Sequence, residues 1–249
     1  MGRTYSVSRA VVTGAARGIG AAIAGRLASD GFSVAVLDID GDGATERASQ
    51  LAVETGARVV GIACDVSDRA DVARTFDEAA EALGGIDTVI TNAGIARDAF
   101  LHKTTDEQWD QVIGVQLTGT FACLRAAAPH LRGDGPGRVV CISSISAAMG
   151  NMGQANYTAA KGGIVSLAKT AAREFARAGT TVNVIRPGFV DTDMTRGMPE
   201  DAREGLIRSI PLGRAGVPDD IAGVVAFLCS DDAAYMTGAV LDVNGGAYM

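Results

Sequence analysis

The feature that most constrains the fold is an alternation, along the whole chain, of short apolar runs with longer stretches of helical period. Arg9–Thr13, Thr88–Thr91 and Arg138–Ile142 are strand-length runs with apolar inner residues, which is typical of strands buried on both faces. Parallel strands need helical crossovers, and the intervening segments have the length for them. The pattern predicts an α/β protein with a single doubly wound parallel sheet of about seven strands, a Rossmann fold, with helices on both faces.

The other elements follow from the same periodicity. We predict strands at Ser33–Leu37, Arg58–Ala63, Thr181–Ile185 and Ala239–Val243, and helices at Gly18–Ser29, about Gly43–Thr55, about Asp68–Leu83, Thr104 to about Leu131, Ala155–Ala178 and Pro218–Ser230. A capping box of Thr104 and Glu107 is expected to begin the fourth helix. Pro187–Arg214 is interpreted as a loop-rich insert. We expect residues 1–249 to form one domain, since chains usually divide only beyond roughly 250–300 residues.

Composition and charge exclude several classes of partner. The chain is 47% hydrophobic and 20% charged, which excludes intrinsic disorder. The net charge is −7 and no Lys/Arg cluster is present, so neither a nucleic acid nor an anionic membrane is an expected partner. The longest apolar stretches, such as Ile221–Cys229, fall short of the ~20 residues that span a bilayer.

The cysteines and histidines give no sign of a disulfide or a metal site. The cysteines lie in apolar runs without Cys-x-x-Cys spacing, so we expect reduced thiols and a cytoplasmic location. His102 and His130 have no ligand partner at metal-binding spacing, and we therefore expect no metal.

A glycine-rich turn, Thr13-Gly14-Ala15-Ala16-Arg17-Gly18-Ile19-Gly20, follows the first strand and precedes a helix. Such glycines allow a sharp turn and a close approach of backbone to a pyrophosphate, at which the helix N-terminus directs its N–H groups. In a chain with 32 glycines, an ordinary strand–helix turn is the alternative. The position favours a dinucleotide site. Its expected residues are Gly14, Arg17, Gly18, Ile19 and Gly20.

Two charged residues bear on the choice of dinucleotide. Asp38 follows the second strand, where a carboxylate accepts hydrogen bonds from the adenosine ribose and repels a 2′-phosphate. Arg17 favours the opposite choice, because a guanidinium in the turn can pair with a 2′-phosphate. We favour NAD(H) from Asp38, with NADP(H) left open by Arg17.

Three residues form a candidate catalytic set. Tyr157 and Lys161 are spaced i and i+4 near the start of a predicted helix, so their side chains share one face. A phenol with a pKa of about 10 is a poor base at neutral pH, but a neighbouring ammonium and an oxidised nicotinamide ring lower that pKa. Ser144 follows the fifth strand at the sheet edge where ligands bind, although it is alternatively a turn serine.

Taken together, these residues resemble the short-chain dehydrogenase/reductase family. Its motifs occur in family order, namely Thr13-Gly14-x-x-x-Gly18-x-Gly20, Asn92-Ala93-Gly94, Ser144, Tyr157-x-x-x-Lys161 and Pro187-Gly188. The likeness covers essentially the whole chain and is strongest to the 3-oxoacyl-[acyl-carrier-protein] reductases, with support from residues 93–98, 150–157, 187–194 and 243–249. The resemblance implies an NAD(P)-binding Rossmann domain and a homotetramer.

The resemblance also implies a role for each matching residue. Tyr157 would be the acid in ketone reduction and the base in alcohol oxidation, Lys161 would hold the nicotinamide ribose, and Ser144 would orient the substrate oxygen. The other implied cofactor-binding residues are Asp65, Val66, Asn92, Ala93, Gly94, Pro187, Gly188, Val190 and Thr192. A substrate lid at about residues 191–210 would carry Met194, Met198, Leu206 and Ile207, with Met194 at the substrate.

Two departures from the family pattern stand out. Gln116 replaces an asparagine that normally holds a helix distortion and a water feeding protons to the lysine. Gln116 either serves in such a relay or is a buried amide satisfied by the backbone. Carrier protein is acidic, yet the loop at residues 131–136 has one arginine and one aspartate, and Glu174 lies between Arg173 and Arg177. Support for carrier docking is therefore thin.

We therefore predict an NAD(P)(H)-dependent oxidoreductase that transfers hydride between nicotinamide and a carbonyl or secondary alcohol. A 3-oxoacyl thioester is the leading substrate, and carrier protein, CoA or a free small ketone are all open as its form. One alternative is a small alcohol, polyol or sugar dehydrogenase of the same family. Another is a nucleotide-binding sensor or scaffold with weak turnover, against which the intact set of Ser144, Tyr157 and Lys161 argues.

Overall fold

The computed structural model describes residues 3–132 and 135–249, and within them seven strands form one sheet. The strands are β1 (Arg9–Thr13), β2 (Ser33–Asp38), β3 (Val59–Ala63), β4 (Thr88–Thr91), β5 (Arg138–Ile142), β6 (Thr181–Pro187) and β7 (Val240–Val243). Their order is β3-β2-β1-β4-β5-β6-β7, and every pairing is parallel. The predicted doubly wound sheet is confirmed.

Helices cover both faces of this sheet. They are α1 (Gly18–Ser29), α2 (Gly41–Thr55), α3 (Arg69–Leu83), α4 (Asp106–Val112), α5 (Gly119–Leu131), α6 (Ser146–Met149), α7 (Ala155–Phe175), α8 (Asp193–Arg196), α9 (Glu200–Ser209) and α10 (Pro218–Cys229). A π-helical segment, Ile113–Thr118, joins α4 to α5. No helix of the described residues combines the length and hydropathy needed to cross a bilayer.

Alternate residues of the central strands supply two separate hydrophobic cores. Val11 of β1 packs in the core that holds Phe76 of α3 and Ile164 of α7. Its neighbour Val12 packs on the opposite face, in the core that holds Ile23 of α1. Successive side chains of a strand point to opposite faces, so a strand between two helical layers must be apolar throughout. This explains the continuous apolar runs in the sequence.

The region predicted as one helix from Thr104 to about Leu131 consists of α4, the π-helical segment and α5. The capping box also differs from the prediction. Thr105 Oγ1 accepts the Gln108 N–H at 3.2 Å, and Gln108 Oε1 accepts the Thr105 N–H at 3.0 Å. Thr104 is one residue too early, because its hydroxyl donates to the carbonyls of Ala99 and Phe100 at 3.3 Å and closes the preceding turn.

The interpretation of Pro187–Arg214 as loop-rich was also incomplete, because this region contains α8 and α9. Local signals explain α9: Pro199 precedes it, Glu200 and Asp201 lie in its first turn and Arg208 in its last. Acidic residues at the N-terminus and a basic residue at the C-terminus of a helix interact favourably with its dipole. A helix can therefore form here although none of its described residues is buried.

Candidate active site

The carboxyl ends of the strands bring the predicted site residues to one edge of the sheet. Gly14 follows β1, Asn92 follows β4 and Ser144 follows β5, while Asp38 ends β2 and Pro187 ends β6. The chain runs outward in opposite directions from β1 and β4, so the strand order reverses between them. Doubly wound sheets bind ligands at such a reversal.

The glycine turn permits a very close approach between α1 and the end of β1. Gly14 has a φ of +63°, a conformation that other residues rarely adopt. A Cβ on Gly20 would lie 2.2 Å from the Gly14 carbonyl oxygen, so only glycine fits this position. Arg17 lies at the N-cap position of α1 with extended backbone, and its side chain is exposed at the mouth of the turn.

Thr13 and Asn92 brace this turn against β4, a contact that sequence reasoning missed. Thr13 Oγ1 accepts the N–H groups of Asn92 and Ala93 at 3.0 and 3.2 Å. The Asn92 amide donates to the carbonyls of Thr13 and Gly14 at 3.0 and 2.9 Å. The side chain of Asn92 therefore shapes the turn. The only signal for this in the sequence was the presence of both residues in the motifs.

Asp38 lies directly against the glycine turn. Its Oδ2 accepts the Ala16 N–H at 3.0 Å and its Oδ1 accepts the Asp40 N–H at 3.1 Å. Both bonds come from backbone N–H groups, so the carboxylate is held at the edge of the turn as an acceptor.

The predicted adenine-binding residues follow β3. Asp65 accepts hydrogen bonds from the Ser67 N–H and hydroxyl at 2.9 and 2.7 Å, and its neighbour Val66 is buried.

Tyr157, Lys161 and Ser144 converge as predicted from their spacing. Lys161 Nζ lies 5.6 Å from the centroid of the Tyr157 ring, within cation–π range. Ser144 lies near enough to the Tyr157 side chain to affect its pKa, and its Oγ forms hydrogen bonds of 3.2 Å with the hydroxyl and N–H of Ser146. Ser143 Oγ donates to the Lys161 carbonyl at 2.8 Å, which ties α7 to the end of β5. The loop before α7 is held as well, since Gln154 donates to the Asp98 carboxylate at 2.9 Å.

Lys161 is a buried cation with few partners. Its side chain is 4% exposed, and Nζ donates to the Ile142 carbonyl at 2.9 Å. Burial disfavours the charged form and lowers the pKa of Lys161 to about 8. An ammonium carries three donors, so Lys161 retains hydrogen-bonding capacity for a ligand.

The protein groups around Tyr157 raise its pKa, whereas the expected lowering also depends on an oxidised nicotinamide ring. Burial raises this pKa, the neighbouring Ser144 hydroxyl lowers it in part, and the Asp98 charge raises it further. The Lys161 ammonium lies 5.6 Å from the ring centroid and donates to the Ile142 carbonyl. With these residues alone, Tyr157 is a protonated phenol at neutral pH and is suited to act as an acid.

The segment after β6 forms the other wall of the site. The Gly188 N–H donates to Val243 at 3.0 Å, and a Cβ on Gly188 would lie 2.7 Å from Cβ of Asn244, so this segment is packed tightly on β7. Val190 is buried, and the Thr192 N–H donates to Thr195 Oγ1 at 2.9 Å at the start of α8. The side chain of Met194, the predicted substrate residue, lies outside the described part of the structure.

Outside this edge, two aromatic side chains differ in exposure. Phe175 is 6% exposed and packs in the core with Val182 and Val184. Trp109 is 41% exposed and is therefore not a core residue. In residues 3–132 and 135–249, no group of three or more His, Cys, Asp or Glu side chains is arranged to hold a metal ion.

Comparison with known proteins identifies the family. A family model described as "Enoyl-(Acyl carrier protein) reductase" matches residues 14–248, a range that includes every candidate site residue. The chain belongs to the short-chain dehydrogenase/reductase family. Members of this family at 42–43% identity extend over nearly its full length.

Three of these relatives carry the same enzyme name. The 3-oxoacyl-[acyl-carrier-protein] reductase FabG of Staphylococcus aureus (strain N315) is 42% identical over 243 residues, covering 96% of this chain and 98% of the relative. FabG of Escherichia coli (strain K12) is 42% identical over 240 residues, covering 96% and 97%. The 3-oxoacyl-[acyl-carrier-protein] reductase MabA of Mycobacterium tuberculosis (strain ATCC 25618 / H37Rv) is 43% identical over 244 residues, covering 98% and 94%.

As a short-chain dehydrogenase/reductase, the protein is an oxidoreductase that uses a nicotinamide cofactor and acts on a CH–OH or carbonyl group. The residues present fit such a cofactor. The turn at Gly14 and Gly20 leaves no Cβ between the backbone and a pyrophosphate, and the first N–H groups of α1 face that position. Lys161 has unused donors beside Tyr157, as a ribose hydroxyl would require.

Proposed function

We propose that this protein reduces the 3-oxo group of a 3-oxoacyl thioester to a 3-hydroxy group, with NADH as the reductant. The observation that carries the proposal is the convergence of Ser144, Tyr157 and Lys161 at one sheet edge in a chain that matches three named 3-oxoacyl-[acyl-carrier-protein] reductases over almost its full length. Burial raises the pKa of Tyr157, so its phenol is protonated at neutral pH and can serve as the acid that a reduction requires.

Each side chain then has a defined task. When bound, the reduced nicotinamide supplies the hydride. The Tyr157 hydroxyl donates its proton to the carbonyl oxygen, and the Ser144 hydroxyl donates a hydrogen bond to the same oxygen as negative charge develops there. Lys161 holds the nicotinamide ribose with the donors that Ile142 does not use. A small set of fixed donors suffices because the site is partly shielded from water.

The preference for NAD(H) rests on Asp38. Its carboxylate is fixed against the glycine turn by the Ala16 and Asp40 N–H groups, so it cannot easily withdraw from a 2′-phosphate. Arg17 is exposed at the turn and is the group that would favour NADP(H). We assign the stronger effect to Asp38, since it is held in place by two hydrogen bonds.

The remaining site residues have cofactor and substrate roles in this proposal. Gly18, Ile19, Asp65, Val66, Ala93, Gly94, Pro187, Gly188, Val190 and Thr192 line the dinucleotide. Residues 191–210, which include α8 and α9, form the lid over the substrate, with Met194 facing it. The chain acts as one cytoplasmic Rossmann domain that assembles as a homotetramer, and the exposed Trp109 and Phe121 of the α4–α5 region offer apolar surface for that assembly.

The test is a spectrophotometric assay at 340 nm. We expect acetoacetyl-CoA to be reduced with NADH faster than with NADPH, and sugars and diols with NAD⁺ to give much lower rates. Tyr157→Phe should bind NADH as the wild type does, measured by fluorescence titration, but lose at least about 100-fold in kcat because the proton donor is missing. Tyr248→Phe, remote in sequence, is the matched control and should keep its kcat.

Oxidation of a diol or sugar without thioester reduction would contradict the substrate proposal. Unchanged turnover in Tyr157→Phe would contradict the catalytic assignment. Acyl-carrier-protein and CoA thioesters of the same acyl group, compared by kcat/KM, distinguish the two forms of the substrate.

A further inference from the structure

Asn156 is a buried amide in the first turn of α7, directly before Tyr157. It is 1% exposed. The N–H groups of a first helical turn have no partner within the helix and need one elsewhere. Within the described part of the chain, the side chain of Gln154 at the N-cap of α7 forms no capping bond. Asn156 supplies a partner instead, because its Oδ1 accepts the Tyr157 N–H at 2.7 Å.

The nitrogen of the same amide reaches two other elements. Nδ2 donates to the Arg97 carbonyl at 3.0 Å, in the loop after β4, and to the Gln108 carbonyl at 3.3 Å, in α4. An amide nitrogen has two N–H donors, so both have partners here. Gln108 belongs to the capping box that begins α4. One side chain therefore joins α7, α4 and the loop after β4 at the point where α7 begins.

A second set of bonds links the same loop to the residues before α7. The Ala99 N–H donates to the Gly153 carbonyl at 2.8 Å, and Gln154 Nε2 donates to the Asp98 carboxylate at 2.9 Å. Asp98 is exposed, whereas Asn156 is buried. Asn156 is thus the inner of two ties, and water competes least with its hydrogen bonds.

The part of this loop nearer to β4 is held by other contacts. The Asn92 amide donates to two carbonyls of the glycine turn, and the buried Gln116 donates from Nε2 to the Ile95 carbonyl at 2.6 Å. Residues 97–99, in contrast, bond to the start of α7. Loss of the Asn156 amide should therefore loosen the start of α7 while the loop next to the glycine turn stays in place.

The position of Tyr157 depends on this first turn. The next tie of α7 to the sheet is one turn later, where Ser143 Oγ donates to the Lys161 carbonyl at 2.8 Å. The Asp98 charge raises the pKa of Tyr157, so the loop and the phenol also interact across the contact. A misplacement of a reacting group by about 1 Å can cost on the order of 100-fold in rate. A loose first turn would therefore be costly for proton transfer.

We propose that Asn156 is a positioning residue, whose amide joins the loop after β4 and α4 to the first turn of α7 and thereby fixes the Tyr157 hydroxyl at the place that proton transfer requires. Asn156 acts through Tyr157 and does not itself touch the reacting atoms. The kinetic consequence rests on the proposed function, whereas the tie between the three elements does not.

Hydrogen exchange followed by mass spectrometry tests the tie without any substrate. Asn156→Leu keeps the size of the side chain but removes all three hydrogen bonds, so residues 95–105 and the first turn of α7 should exchange faster than in the wild type. Asn183→Leu is the matched control, because Asn183 is 0% exposed and its amide bonds to Met236 and Ala239 instead. It should leave exchange in both segments unchanged. Unchanged exchange in Asn156→Leu would overturn the proposal.

Kinetics separate positioning from a general loss of stability. With acetoacetyl-CoA and NADH, Asn156→Leu should lower kcat by about 10-fold or more, because the acid is misplaced. Its Kd for NADH, measured by fluorescence titration, should stay within about twofold of the wild type, since the loop at the glycine turn is held independently. Asn183→Leu should lower the Tm by a similar amount but keep its kcat. A normal kcat in Asn156→Leu, or an equal loss in both variants, would contradict the positioning role.

A second pair of variants is used if Asn156→Leu does not fold. Asn156→Asp keeps an acceptor for the Tyr157 N–H but has no donor for the two carbonyls, and should also lower kcat. Asn183→Asp makes the same exchange far along the chain and should not. Identical kcat in these two variants would count against the proposal.

The outcomes distinguish this inference from the proposed function. A wild type that does not reduce the thioester, combined with faster exchange in Asn156→Leu, would contradict only the proposed function. An active wild type whose kcat is unaffected by substitution of Asn156 would contradict only this inference.

Discussion

At the scale of single residues, Asp38 shows how hydrogen bonds from a backbone turn hold a charged side chain in one position. The carboxylate accepts N–H groups from both its own loop and the glycine turn, so the two segments are joined by one side chain. A group held in this way presents a fixed negative charge to any ligand that reaches the end of β2. A cofactor with an additional phosphate would meet that charge directly.

Substitution of Asp38 tests this argument. In Asp38→Ala, we expect the ratio of kcat/KM for NADH to that for NADPH to fall by on the order of tenfold, because removal of one partly buried charge at close range changes binding by about 1 kcal/mol or more. The measurement is initial rates with each cofactor at fixed acetoacetyl-CoA. Asp42→Ala, an exposed acid in the first turn of α2, is the control and should leave the ratio nearly unchanged. A wild-type preference for NADPH would show that Arg17 outweighs Asp38.

At the scale of elements, the contact between α7 and the π-helical segment depends on small side chains. Gly162 and Gly163 are adjacent in α7, yet a Cβ on Gly162 would meet nothing within 4 Å, whereas one on Gly163 would lie 2.8 Å from Cδ2 of Leu117. Alanine substitution at each of the two positions therefore distinguishes the effect of helix propensity from that of steric overlap.

We predict opposite effects for the two alanine variants. Gly162→Ala should raise the free energy of unfolding by up to about 1 kcal/mol, the usual gain of alanine over glycine in a helix. Gly163→Ala should lower it by about 1–3 kcal/mol, because the added methyl overpacks the contact with Leu117. Thermal unfolding followed by circular dichroism measures both. Equal stability of the two variants would show that Leu117 can move aside at no cost.

At the scale of the whole molecule, protonation of ion-paired or hydrogen-bonded carboxylates at low pH should lower the stability of the fold. The side-chain hydrogen bond from Arg214 lowers the pKa of Asp220 to about 2, and the Val217 N–H contributes to the same shift. The folded-state pKa thus lies below the unfolded value of about 3.9, so the stabilisation is complete above pH ~4 and is lost as the pH falls toward 2. Asp71 and Asp231 are shifted in the same direction, by the Asp65 N–H and by Ser6 respectively.

Asp220→Asn should therefore lower the Tm at pH 7 by a few degrees at most, since partly exposed ion pairs contribute about 0–1 kcal/mol. The difference from the wild type should shrink as the pH falls from about 4 to 2, where the wild-type carboxyl is itself protonated. Calorimetry over that pH range measures the difference in Tm between the variant and the wild type. The exposed neighbour gives the control: Asp219→Asn should show a smaller difference at each pH. A Tm difference for Asp220→Asn that stays constant down to pH 2 would exclude the ion pair as its cause.

Local sequence by itself determined the strand positions and the parallel sheet, because strands buried on both faces must be apolar at nearly every inner residue. It also predicted that Tyr157, Lys161 and Ser144 lie close to one another. The i,i+4 spacing places two of them on one helix face and a strand end places the third, without knowledge of distant contacts. Features that depend on contacts distant in sequence were decided only by the tertiary structure. The π-helical turn at Gln116 forms in a segment that packs against three other parts of the chain, and no local propensity predicts it. The raised pKa of Tyr157 likewise reflects the desolvation of its hydroxyl in the folded chain, which spacing along a helix cannot specify.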